Sequence, residues 1–503
     1  MFISFLIPSV FEGVRARHLC VFYAQLAAFG RSSVGFVGEP AYFEAPAALE
    51  AAGRPEWLPS WRAAYAYEPP ADLAGVTCEP LPAHLFAARL RRLGSSWKLY
   101  GQLVTKRLPE LETAFDAALD AIAARRPVEA VLVFADNPSV SAVARRRGVP
   151  VVHNEFGPLR PPDYVMTAYW DQRGISRHSD TASRYRAFRR ESIAARVPLL
   201  ERAEILEVLR RTPLPEGPGP AQAPFRVGIA LQGDENAYVQ GTSALDLLSM
   251  ARQYYRAGEI LVRYHPACAT RYPETLAVTD DSPTATAFIQ QCETVLTVSS
   301  GTAFEAMLLG RRAVVTGRSP WGLGAATHLG GRERRSAGEA RRRLNFLAFG
   351  CLVPGALMFD ADYVRWRLTG PSELDIYRHH QRWYRRNLLA QPVPACPAVA
   401  LAAGAKLLDA VPNGRAPQAT VVFGAGAVTP SVVAQLRSER FTLEAVFDND
   451  RARWGTLVAG LPVERPRFRA GTTVVVPSLT HGDAIVRQLS VLGYSADHIL
   501  RLR

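Results

Sequence analysis

Residues 296–317 read LTVSSGTAFEAMLLGRRAVVTG. A β-branched run ends in a Ser-Ser-Gly-Thr turn, a short helical pattern follows, and a second β-branched run begins at Arg312. A strand, a turn, a helix and a strand in this order form the repeating unit of a parallel α/β sheet. The turn stands at a strand tip, directly before the helix. A helix N-terminus offers unpaired N–H groups and a partial positive charge. Ser299, Ser300 and Thr302 add hydroxyl donors, and Gly301 lets a backbone come close. The turn therefore suits a phosphate. The competing reading is a plain Ser/Thr helix cap around a glycine bend. Glu305 lies one helical turn on, placed either to close a capping box or to hydrogen-bond ribose hydroxyls.

The same alternation runs outward in both directions. FISFLI, SVGFVG, AVLVFA and VPVVHN mark strands in the first part of the chain. FRVGIALQ, EILVRYH, TVLTVS and RAVVTG mark strands in the middle. Pro/Gly-rich segments at 211–224 and 391–419 separate the regions. The fold class is α/β, with two Rossmann-like domains expected at 1–210 and 225–390, facing one another across a cleft. The helical pattern 372–390 is expected to close the second domain or pack back on the first. A third, small Rossmann-like α/β domain is expected at 418–503. There ATVVFGAGAVTP runs a strand into Gly424 and Gly426, and AVFDND ends a second strand at Asp448. Thr429 and Pro430 stand where the dinucleotide fingerprint has its third glycine.

The 503 residues carry 59 Lys+Arg against 46 Asp+Glu, a net charge of +13. That balance favours anionic partners such as nucleotides, acidic sugars or phospholipid headgroups. No nucleic-acid recognition motif accompanies it, so nucleic acid is not an expected partner. Cys20, Cys78, Cys268, Cys292, Cys351 and Cys396 are scattered without a C-x-x-C pair. Neither a zinc site nor a disulfide framework is indicated, and a reducing cytoplasmic setting is expected. The opening MFISFLIPSVFEG has no basic leader and reads as a first strand.

In open parallel sheets ligands bind beyond the carboxyl ends of the strands. The strand ends here carry Glu155 in NEFGPLR, Asp234 in GDEN, His265 before Pro266, and Ser299-Ser300-Gly301-Thr302. Proline restricts the residue before it to extended backbone, which aims His265 at the cleft, where a histidine can donate to phosphate. Each residue alone has a bland reading: Asp234 as a turn or cap, Glu155 as a solvated loop carboxylate. If the two regions face each other, Glu155 and Asp234 come from opposite walls. Two carboxylates across a cleft suit acetal chemistry, one as acid/base and one as nucleophile or stabiliser.

The RYHP and SSGTAFEAMLLGRRAVVTG blocks, with NEFGPLR upstream and ALQGDEN between, resemble motifs of CMP-sugar-dependent bacterial glycosyltransferases. The pattern looks most like the retaining β-Kdo transferases of lipopolysaccharide and capsule assembly, over residues 1–390. The resemblance implies a GT-B-like arrangement, CMP-β-Kdo as donor (Kdo is 3-deoxy-D-manno-oct-2-ulosonic acid), retention of configuration, and no metal or other cofactor. It implies Asp234 as nucleophile, Glu155 as acid/base, and His265, Ser299 and Ser300 as CMP contacts. Arg160 and Arg263 are basic neighbours expected to meet the donor carboxylate. The implied partners are a CMP-sugar donor and a lipid-linked or oligosaccharide acceptor, such as O-antigen. Peripheral contact at the inner face of the inner membrane is expected through the arginine-rich segments 331–343 and 378–386. The tail resembles small Rossmann-like domains appended to sugar-modifying acyltransferases and methyltransferases. Alternatives are transfer of another CMP-activated acidic sugar of the sialic-acid type, NAD-dependent sugar oxidation through the tail, and a non-enzymatic assembly scaffold.

Overall fold

The computed structural model describes residues 1–8, 15–44, 68–82, 84–161, 163–212, 214, 217–233, 241–265, 270–331, 336–390, 419–425, 429–438, 441–477 and 482–501. The chain forms two compact units: Met1–Arg54 with Tyr67–Gln391, and Pro55–Ala66 with Pro392–Arg503.

The first unit holds two sheets. Strands β1 (Phe2–Phe5), β2 (Val34–Gly38), β3 (Thr77–Pro80), β4 (Ala130–Phe134) and β5 (Val151–Phe156) are parallel, in the order β5-β4-β1-β2-β3. Strand β6 (Thr167–Asp171) runs antiparallel beside β5 and places Tyr169 opposite Glu155. The two faces of β1 explain the layering. Ile3 and Phe5 pack with Val131, Val133 and Val151 on one side. On the other, Phe2 meets Phe29 at 5.0 Å between ring centroids. Strands buried on both faces are mostly apolar: β2 and β4 are apolar throughout, β1 is broken only by Ser4, and β5 turns polar from His153 to Glu155.

The second sheet is all parallel: β7 (Phe225–Ala230), β8 (Ile260–Arg263), β9 (Val278–Thr279), β10 (Cys292–Thr297) and β11 (Arg312–Val315), in the order β11-β10-β7-β8-β9. Val227, Ile229, Leu296 and Val314 fill one face, and Leu261, Val295, Ala313 and Val315 the other.

Chain beyond the second sheet returns to the first. Strand β12 (Leu352–Pro354) pairs antiparallel with β6. The helix Glu373–Ala390 buries Tyr377 and Tyr384 in a core that also holds Tyr185 and Phe188 from the first region and Phe304 from the second. Arg184 ties it down, donating to Glu373 at 2.8 Å and to the Gly350 carbonyl at 2.7 Å. Of the two places expected for this helix, both are occupied at once. The shared core joins the two Rossmann-like sheets into one GT-B-like unit.

The second unit carries a sheet of its own. It is built from β13 (Ala419–Phe423), β14 (Leu443–Phe447), β15 (Leu457–Val458), β16 (Leu461–Glu464), β17 (Thr472–Val476) and β18 (Ile499–Arg501), in the order β15-β16-β14-β13-β17-β18. All pairs are parallel except β15 with β16. Val422, Val446 and Val475 face one core, and Val421, Phe447 and Val474 the other. The Asp448 carboxylate accepts the Ala425 N–H. An acidic residue at this place in a dinucleotide fold would otherwise face a ribose. Here one of its oxygens is committed to the glycine turn.

No helix among the described residues is long and apolar enough to cross a membrane.

Candidate active site

Most of the expected strand-end residues meet in one cavity of about 310 Å³ within the first unit. Glu155 and Arg160 line it from the first sheet. His265, Ser299, Ser300 and Gly301 line it from the second. It lies at the carboxyl ends of β5, β7, β8 and β10, where the geometry of a parallel sheet puts a ligand site.

Glu155 owes its place to β5. Val151 to Asn154 are buried, and Glu155, near the strand's end, is the first half-exposed residue. The following turn is rigid. Gly157 donates to Thr167 O at 2.8 Å, and Leu159 N donates to Thr167 Oγ1 at 3.2 Å. Arg160 folds back to donate from Nε to Gly157 O at 2.9 Å. A Cβ on Gly157 would lie 2.3 Å from Thr167 Oγ1, so only glycine lets these segments meet.

On the facing side, Ser299 is held by a residue the motif reading passed over. The Ser299 N–H and hydroxyl both donate to Gln232 Oε1, at 3.1 and 3.2 Å. Gln232 follows β7 and lines the cavity itself. Ser300 Oγ accepts from Thr302 N at 3.3 Å and lies 3.0 Å from the Thr302 hydroxyl. The helix Thr302–Leu308 is short and has no side-chain cap bond from Gly301.

Gly301 has a reason to be glycine that neither reading of the turn supplied. Its backbone is ordinary right-handed helix, with φ −60° and ψ −17°. A Cβ there would lie 2.4 Å from Pro158 Cβ. Glycine is needed because the turn after β5 packs on the turn after β10. The polar cavity is walled by that contact.

Three expectations are corrected. Glu305 neither caps the helix nor lines the cavity. It is buried, and its Oε1 accepts from Tyr164 Oη at 2.9 Å and Thr286 Oγ1 at 2.6 Å. Burial pushes its carboxyl above the usual value, while Thr286 and Tyr164 pull it down. Arg263 points away: its guanidinium pairs with Asp280 and donates to Ser282 O at 2.9 Å. The strand end put it near the site, but alternation turned its side chain to a neighbouring loop. Thr302 does not line the cavity, and its hydroxyl is shared with Ser300. Asp234 lies outside the described residues, two positions past Gln232.

Several lining residues had no motif: Trp97, Tyr100, Ser176 and Trp321. Trp321 stacks on Phe304 at 5.1 Å and meets Tyr169 at 5.8 Å, bracing the floor between the sheets. Ser176 holds a left-handed backbone, φ 49°. The preceding residue is pinned by Asp136, whose Oδ1 accepts from Ile175 N at 2.9 Å. Non-glycine residues persist there only when surroundings over-determine them. GIS in residues 174–176 gives a partial signal, since Gly174 takes φ 154° and a Cβ there would lie 2.5 Å from His178 Cβ, so the position requires glycine.

Residues 4–180 match the model of the glycosyltransferase 99 family N-terminal domain. A comparison with curated proteins gives no match. Solved structures similar to the chain include Thermosulfurimonas dismutans KpsC as a β-Kdo 2,7 transferase: 18% identity, TM-score 0.32, covering 52% of this chain and 89% of that one. The β-Kdo 2,4 transferase of the same KpsC gives 18% identity and TM-score 0.30, covering 44% and 80%. The spinosyn rhamnosyltransferase SpnG with its aglycone gives 14% and 0.27, covering 75% and 99%.

Proposed function

We propose that this chain, whose residues 4–180 match a glycosyltransferase-family domain, is a retaining glycosyltransferase moving Kdo from CMP-β-Kdo to a bacterial surface glycan. The observation that carries the reading is the shared cavity. Glu155 and Arg160 stand on one wall, and His265, Ser299 and Ser300 on the other. An acid/base group thus faces a set of phosphate donors. No divalent metal is assigned a role, because His265 and the serine turn supply the donors that the departing phosphate needs.

The donor's anomeric carbon, C2, bears a carboxylate, and C3 bears no hydroxyl. No neighbouring hydroxyl can assist departure. A carboxylate nucleophile divides the substitution into two inversions, which retain configuration overall. Asp234, two residues beyond Gln232, is the proposed nucleophile. Its oxygen bonds to C2 as the C2–O bond to CMP breaks and the electron pair leaves on phosphate. His265 and the Ser299-Ser300 turn stabilise that charge. Glu155 then takes the proton of the acceptor hydroxyl, whose oxygen attacks C2 and frees the Asp234 carboxylate. Arg160 is the proposed partner of the sugar carboxylate. The acceptor is a lipid-linked or oligosaccharide glycan, reached by peripheral contact with an anionic membrane surface.

Asp234→Asn is expected to fold and bind CMP yet lose transfer by several orders of magnitude. Glu155→Gln is expected to accumulate an intermediate carrying one Kdo, visible by intact-protein mass spectrometry and mapping to the Asp234 peptide. Near-normal turnover of Asp234→Asn, or a first-formed adduct elsewhere, overturns the assignment.

A further inference from the structure

Two aromatic rings, Trp97 and Tyr100, line the same cavity as Glu155, and Tyr100 also packs on the edge of the first-sheet core. They come from the helix Ser96–Thr105, whose first turn is set by Ser95: its hydroxyl accepts from Lys98 N at 3.3 Å. The helix already buries an apolar stripe of Leu99, Leu103 and Val104. Trp97 and Tyr100 lie outside that stripe, three residues apart and so on one side of the helix. Their centroids are 6.2 Å apart and their planes 89° from each other. Trp97 is 40% exposed. A tryptophan left this open beside a polar cavity is the kind of surface that marks a ligand site.

We propose that Trp97 and Tyr100 are the binding platform for the acceptor sugar ring. The inference rests on the transferase reading and adds the place where the second substrate sits. A pyranose presents C–H groups on one face and hydroxyls at its rim. The C–H face suits the negative π-face of an aromatic ring, and a rim hydroxyl then lies toward the carboxylate wall. Rings at right angles form a corner, with one face beneath the sugar and one edge beside it. Placement separates this from base stacking by the nucleotide. The phosphate donors His265, Ser299 and Ser300 belong to the second sheet, whereas both rings belong to the first region with Glu155, the group that must meet the acceptor hydroxyl.

The test uses the full chain with Trp97→Ala, Tyr100→Ala and Trp97→Phe. Two quantities are measured on each: the thermal shift with CMP, and binding of methyl α-D-glucopyranoside, methyl α-D-galactopyranoside and methyl α-D-mannopyranoside by saturation-transfer NMR. At least one glycoside is expected to bind the wild type. Trp97→Ala should weaken it about tenfold, the scale of losing an aromatic anchor, and leave the CMP shift intact. Trp97→Phe should restore most of the binding. An absent CMP shift in the wild type counts against the transferase reading itself. With that shift present, the platform is overturned by no response to any of the three glycosides. It is equally overturned by unchanged glycoside binding in Trp97→Ala, or by loss of the CMP shift in that variant, which would make the rings a nucleotide site.

Discussion

Glu305 shows how one carboxylate can change its purpose between motif and fold. In the motif it stands one turn after a phosphate-like loop. In the structure it is buried and takes hydrogen bonds from Tyr164 and Thr286, so it joins the two Rossmann-like regions. Burial raises its carboxyl above the ordinary 4.5. Below that value the folded and unfolded chains both hold the proton. As pH rises, the unfolded chain ionises first, and the folded state loses stability until its own carboxyl ionises. Glu305→Gln keeps an oxygen to accept both hydroxyls and removes the titration. Urea unfolding from pH 4 to pH 8 is expected to show the variant gaining on the wild type with rising pH. A pH-independent difference overturns this account.

At the scale of elements, the helix Glu373–Ala390 divides its mixed arginine and aromatic composition by face. Tyr377, His380 and Tyr384 are buried, and His380 is held neutral by burial, well below the usual imidazole range. Arg378, Arg382, Arg385 and Arg386 are exposed. The aromatics therefore belong to the core, and only the arginines are available to an anionic lipid surface. Each basic residue near such a surface contributes about 1 kcal/mol. Replacing the four arginines with glutamine is expected to reduce sedimentation with anionic vesicles and leave the weak association with neutral vesicles unchanged. Equal binding of wild type and variant to anionic vesicles removes this helix from the proposal.

At the scale of the whole molecule, the cavity lies between two sheets that share a core, and the chain beyond the second sheet returns as β12 to the edge of the first. A ligand that binds only the folded chain stabilises it by mass action, about 2.7 kcal/mol at a concentration 100 times Kd, and the proposed donor makes CMP the ligand to test. A thermal shift with CMP is expected in the absence of added metal, and His265→Ala and Ser300→Ala should each reduce it. A strict requirement for Mg²⁺ or Mn²⁺, or full shifts in both variants, counts against the site. The second unit has two apolar faces of its own around β13–β18. Its Asp448 carboxylate accepts the Ala425 N–H just past the end of β13.

The parallel strands were legible because a strand buried on both faces is mostly apolar and β-branched, as in AVLVF and RAVV. The strand tips were legible because polar residues there have no core to fill, which is how Glu155, His265, Ser299 and Ser300 could be named. Side-chain direction was not: Arg263 and Glu305 sit at the right places along the chain, yet their neighbours Asp280, Tyr164 and Thr286 decide where they point. Gly301 reads as flexibility in one dimension, while its cause is Pro158, 143 residues away in sequence and packed against it. Trp97, Tyr100 and Gln232 carry no local pattern, because an aromatic on a helix and a glutamine after a strand acquire meaning only from what faces them. Local composition determined which elements form and where their ends lie. Long-range packing alone decided which of those ends share a cavity.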